Sequence, residues 1–229
     1  MKYTKPTYVA FYLTSTALLV AAFLLQKPDL VYLYPLPVLA ILSIYFTEKK
    51  EPLSFLYILS LAIIVLGGIL LLLGLRKYVY EVSILFTFFY IFLIRLMYLK
   101  NKKQKKERLL YFRLILIVLP IIYIYDRVMC IIYKEIRETF VYLSVLIVFV
   151  LIYIILSLYY YLRNKSQANL WMLIVSCNLG IMNIIIMINE LYIGETLFTV
   201  ISLFCYSLIL YFSLKFMLED RKSALPDIV

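Results

Sequence analysis

The sequence contains no histidine. That absence removes the commonest metal ligand and the commonest general base, and it makes a Ser-His-Asp triad impossible. The three cysteines, Cys130, Cys177 and Cys205, lie within or beside apolar runs and share no metal-ligand spacing. They read as small apolar residues, not as a disulfide framework. Glycine is scarce, at five residues, so a glycine-built ion filter is not expected. No GxSxG, HExxH or P-loop motif occurs, and neither a cofactor nor a metal is expected. Long polar stretches are also missing. The longest is Lys100 to Arg108, KNKKQKKER, which leaves no room for a separate soluble domain.

What the chain does have is apolar surface. Of its 229 residues 66% are hydrophobic, and its mean hydropathy is +0.99. A soluble domain is roughly half apolar, so the excess must face lipid. The expected fold class is an all-α integral membrane protein, a single polytopic domain over residues 1–229 built as a bundle of about eight transmembrane helices. The expected spans are 8–26, 30–46, 53–75, 78–99, 109–125, 139–162, 169–188 and 195–218. The segment 126–138 reads either as an extension of the fifth helix or as a piece lying at the interface. The first span reads as an uncleaved anchor, because no small-x-small site follows its apolar run. Many of the 23 tyrosines fall near span ends, where aromatic belts form.

The net charge of +10 sits mostly between the apolar runs. With eight spans both ends share a side, and that side carries about 14 Lys and Arg against about 6 on the other. The expectation is therefore a multi-pass protein with cytoplasmic N- and C-termini. The KNKKQKKER loop is a topology determinant whose contact with anionic lipid follows from its position, and nucleic acid is not an expected partner. Membrane lipids are.

Ionisable residues in hydrocarbon are costly and rank first as functional candidates. Glu81, Arg95, Arg113, Glu190 and Lys215 qualify by position, but each lies near a span end, where a long side chain reaches the interface. The seventh span adds Ser176, Asn178, Asn183 and Asn189. Ser176, Asn183 and Asn189 recur at nearly seven residues and so share a helix face. Such residues act as interhelical glue or line a polar pocket. In the second span Pro35 and Pro37 must kink or unwind the backbone, and the carbonyls so freed need protein or water partners. The Gly67-Gly68 pair in the third span permits close helix approach. Together these two features suggest an interior cavity.

The order of these features resembles the YhhN family, the bacterial and animal membrane proteins that include lysoplasmalogenases. Tyr34-Pro35-Leu36-Pro37 is similar to that family's Lys-Pro-Leu segment, and Gly67-Gly68-Ile69-Leu70-Leu71 to its Gly-Asp followed by apolar residues. Phe92-Leu93-Ile94-Arg95-Leu96-Met97-Tyr98 is similar in spacing to its Phe-Leu-x-x-His-x-x-Tyr. Met182-Asn183 resembles its Ser-Asp, and Tyr206 a tyrosine of its last span. The resemblance implies a helical bundle that binds a lysophospholipid or similar amphiphile, with Arg95, Tyr98, Asn183 and Tyr206 as substrate-binding residues. The family activity is hydrolysis of a vinyl ether, which needs an acid to protonate the enol carbon and a group to activate water. Here Gly68 and Asn183 stand where the family has Asp, and Arg95 where it has His. Hydrolysis would then fall to Glu81 or Glu190 as the acid. A second expectation, of a different class, is a non-catalytic membrane protein acting as an assembly partner or small transporter.

Overall fold

The computed structural model describes residues 6–49, 53–101, 108–133 and 137–219. Its regular structure is helical: α1 (Pro6–Leu24), a 3₁₀ segment (Lys27–Tyr32), α2 (Leu36–Glu48), α3 (Phe55–Lys100), α4 (Arg108–Ile132), α5 (Phe140–Arg163), α6 (Gln167–Ile188), a single π-helical turn (Asn189–Ile193) and α7 (Thr196–Leu218). Among the described residues, seven helices are long and apolar enough to cross a membrane. The chain is a helical bundle of the multi-pass membrane class. Outside the described residues lie most of the KNKKQKKER loop (102–107) and several basic residues used for orientation: Lys2, Lys5, Lys50, Lys134, Arg221 and Lys222.

The count is seven where the sequence led to eight. The reason is α3, in which the third and fourth expected spans form one helix of 46 residues. A straight helix of that length would run about 69 Å, twice the hydrocarbon thickness. It is not straight. Gly74 has φ 123° and ψ 112°, and Tyr78 also leaves the helical region. A methyl group on Gly67 would lie 3.1 Å from the Phe86 ring. In a straight helix those residues would be about 28 Å apart. The helix therefore folds back on itself, and Gly74 accommodates the reversal because it lacks a Cβ.

The second expected span also differs in its first part. It opens as the 3₁₀ segment, turns through Tyr34 and Pro35, and becomes α-helical only from Leu36, with Pro37 in the first turn. Proline lacks the N–H that a helix interior requires, which is why the helix begins here and not earlier. At 126–138, α4 runs on to Ile132, so the described part of that segment extends the helix.

Polar contacts gather at the two ends of the bundle. At one end Tyr8 donates to Glu48 at 2.8 Å and Asn101 donates to Asn169 at 2.9 Å. Lys49 and Lys100 donate to the last carbonyls of α7, those of Met217, Phe216 and Glu219. Those carbonyls have no partner within the helix and carry its negative dipole end, so two lysines close them well. The opposite end holds Lys27, the reversal of α3 and the π-turn, with Arg76 donating to the Leu191 carbonyl at 2.8 Å. Between the ends, α6 is tied to its neighbours by Ser176 against Ser157 at 2.5 Å and by Tyr125 donating to the Gly180 carbonyl at 3.0 Å.

Candidate functional site

Two stretches of backbone at the Lys27 end are not α-helical, and both border empty space. Unsatisfied backbone groups are tolerated at membrane depth only where they meet protein or a cavity. The first stretch is the 3₁₀ segment and the turn through Tyr34. The second is the π-turn after α6, a form that recurs at functional sites. It ends at Gly194, whose φ of 79° is left-handed, and the Gly194 N–H closes on the Asn189 carbonyl at 2.8 Å. Asn189 then organises the start of α7. Its Oδ1 accepts from the Glu195 N–H at 2.7 Å and its Nδ2 donates to Thr199 Oγ1 at 3.1 Å.

Between these stretches lie two adjoining cavities. The outer one, a vestibule of about 470 Å³, is bordered by Gln26, Lys27, Asn189, Glu190, Glu195 and Thr196, among others. The inner one, a narrow cleft of about 30 Å³, is walled by Leu71, Leu72, Phe86, Met182, Ile186 and Leu203. The vestibule falls within the usual range for ligand sites, and the cleft is a narrow opening beside it. Lys27, Asn189, Glu190 and Thr199 border both cavities. Across this boundary Lys27 donates to Glu190 in an ion pair, with side chains 26% and 11% exposed. The pair is partly desolvated, so each charge depends on the other.

The floor of the cleft is aromatic. Tyr34 and Tyr206 stack with centroids 4.3 Å apart and planes at 15°. The Tyr34 ring occupies the space beside Gly68, where a Cβ would come within 2.2 Å of it. Gly68 thus admits a ring from the unwound segment, and Gly67 admits Phe86 from the other limb of α3. These are the close approaches that the glycine pair and the prolines suggested.

Of the six residues singled out from sequence, Glu190 and Tyr206 border the cleft. Asn183 follows the lining residue Met182 but faces another way. It donates to Tyr90 Oη at 2.6 Å and to the Leu179 carbonyl at 2.7 Å, inside the helix interface. Glu81 is exposed on the outside of the bundle. Arg95 and Tyr98 are also on the outside, the guanidinium 5.9 Å from the tyrosine centroid. The structure therefore separates Arg95 and Tyr98 from Tyr206. Sequence reasoning passed over Lys27, Tyr34, Asn189 as a cap, Thr199 and Ser202. Lys27 does carry a signal in the chain, as a lone cation between two apolar runs. Among the described residues no group of three His, Cys, Asp or Glu comes together.

No protein-family model, curated protein or solved structure matches this chain. Fold and cavities define a multi-pass helical membrane protein with an internal cleft reached past an ion pair.

Proposed function

We propose that this chain is a multi-pass protein of a bacterial inner membrane that binds a single-chain amphiphile of the lysophospholipid class. The polar group sits in the vestibule against Lys27 and Glu190, and the chain enters the cleft between α3, α6 and α7. The observation that carries this reading is the junction of a mainly apolar cleft with a charged, polar mouth. An amphiphile has the same two-part chemistry. In this reading each limb of α3 crosses the membrane, which makes eight crossings. The Lys49 end, richer in Lys and Arg, faces the cytoplasm, and both termini lie there.

The reading keeps what the resemblance to YhhN proteins implies about lipid binding and leaves hydrolysis aside. Protonating a vinyl ether takes an acid beside the bond. Of the two carboxylates named for that role, Glu81 points away from the cleft and Glu190 is engaged by Lys27.

The test is to incubate the purified protein in nanodiscs with a lysoplasmalogen, then measure retained ligand by native mass spectrometry and released aldehyde in the same sample. Retention without aldehyde is expected. Ile186→Trp, which fills the cleft, should weaken retention about tenfold. No retention, or retention indifferent to Ile186→Trp, would overturn the reading, and aldehyde release would overturn its non-hydrolytic part.

A further inference from the structure

Beneath the cleft lies a third void, small at about 10 Å³, bordered by Tyr57, Ser60, Ile64, Phe89, Ile209 and Ser213, among others. It is enclosed by the same four segments as the cleft: the two limbs of α3, α6 and α7. On each segment the lining moves the same way. Gly68 gives way to Ile64, Phe86 to Phe89, Met182 to Val175, and Tyr206 to Ile209. On three of the four the step is about one helical turn, about 5 Å. Since the helices alternate in direction, a common displacement on all four is a displacement along the bundle axis, toward the Lys49 end. Vestibule, cleft and inner void are therefore stacked in one line.

Two aromatic layers interrupt that line. The first is the Tyr34–Tyr206 stack with Phe86 beside it. The second is at the inner end, where the Tyr57 hydroxyl meets Ser213 Oγ at 3.2 Å and its ring packs 4.9 Å from Tyr45. The two layers are built differently. Tyr45 and Tyr57 belong to regular helices, whereas Tyr34 stands in the unwound turn between the 3₁₀ segment and α2. Its backbone N–H donates to the Leu30 carbonyl at 2.9 Å, and its ring is held beside Gly68 by packing, with a long 3.3 Å bond from Tyr206 Oη to its carbonyl. Interrupted helices border the substrate site in many membrane transporters.

We propose that the interior between the limbs of α3, α6 and α7 is a translocation path, with Tyr34 as its movable plug. This goes beyond ligand binding in the cleft. Past the Lys27–Glu190 pair the residues bordering the cleft and inner void carry no charge, and beyond Asn189 and Thr199 at the boundary their polar side-chain atoms are hydroxyls of serine and tyrosine. The chemistry suits a small solute without net charge that has both a hydroxyl-binding and an apolar face. No ion-coupling residue lines this part of the path.

The experiment is cysteine accessibility in proteoliposomes, in a background of Cys130→Ala, Cys177→Ala and Cys205→Ala. A membrane-impermeant methanethiosulfonate is added from the Lys27 side. Ser202→Cys, in the cleft, should react, and Ser213→Cys, in the inner void, should not. Adding Tyr34→Ala should then speed modification of Ser213→Cys about tenfold or more, a measurable change in barrier. Gly68→Ala, whose methyl would displace the Tyr34 ring, should act in the same direction, and Tyr34→Phe should leave the plug shut. Monodispersity on size exclusion identifies folded variants, so the Gly68 variant decides the matter if Tyr34→Ala does not fold. If Ser202→Cys reacts while Ser213→Cys stays inert in the folded opened variant, the path is overturned and the cleft survives as a binding site. If Ser202→Cys is inert too, both the path and the accessible cleft fail.

Discussion

Asn183 commits its amide inside the bundle, one hydrogen bond to Tyr90 on α3 and one to its own helix at Leu179. The other two polar residues of the expected stripe find other partners: Ser176 meets Ser157 of α5, and Asn189, in the π-turn, meets Thr199 of α7. A spacing of seven residues puts Ser176 and Asn183 on one face of α6, whereas Asn189 lies past its end in the π-turn. Which helix each would meet was not legible, because a shared face says nothing of what packs against it. The energetic consequence is modest. Interhelical hydrogen bonds in membranes are worth about 0.6 to 1.7 kcal/mol, since the unfolded chain in lipid also finds partners. Asn183→Leu removes the amide and leaves the buried Tyr90 hydroxyl without this bond. It should lower stability by about 1 kcal/mol in a detergent unfolding titration. An unchanged or raised midpoint would mean that Asn183 is not structural glue.

The reversal of α3 and the unwound start of α2 shape the cleft at the level of whole elements. Gly74 has no atom within 4 Å of the position a Cβ would take, so space is not what requires glycine there. The requirement is its φ of 123°, a backbone state that L side chains rarely adopt. Gly74→Ala should therefore cost on the order of 1–3 kcal/mol through backbone strain alone. Gly67→Ala meets a different obstacle, the Phe86 ring at 3.1 Å, which moves only if the limbs separate. Paired detergent titrations with Phe86→Leu separate the two causes. The smaller side chain should relieve Gly67→Ala and leave Gly74→Ala as unstable as before. Relief of both would place the strain in packing and not in the turn. The positions of these features, the glycine pair and the two prolines, were readable in the chain. Their meeting was not, because the contact between Tyr34 and Gly68 joins two separate spans.

At the scale of the molecule, the ends of the described chain come together. Lys215 of α7 lies over the Tyr8 ring of α1 at 5.4 Å, and Tyr8 bonds to Glu48 at the end of α2. That α1 begins and α7 ends at the same end of the bundle agrees with the eight crossings proposed above, in which α3 crosses twice. Green fluorescent protein fused at either terminus should fluoresce, and alkaline phosphatase at either terminus should be inactive, as expected of two cytoplasmic ends. A phosphatase inserted at Gly194, at the Lys27 end, should be active. Opposite results at the two termini would break the eight-crossing topology.

The sequence by itself determined the class of the protein. Length and hydropathy of each span are local properties, and lipid tolerates backbone polar groups only when they are paired within the segment. Tertiary structure alone decided which polar residues share a site. The helices are apolar nearly all round, so no amphipathic stripe marks an inner face. Lys27 and Glu190 stand 163 residues apart along the chain. Each read as an ordinary interfacial charge until folding placed them together at the mouth of the cleft. In a bundle surrounded by lipid, inside and outside are equally apolar. Close packing at a few small residues, among them Gly67 and Gly68, therefore chose the arrangement of helices that the hydrophobic pattern left open.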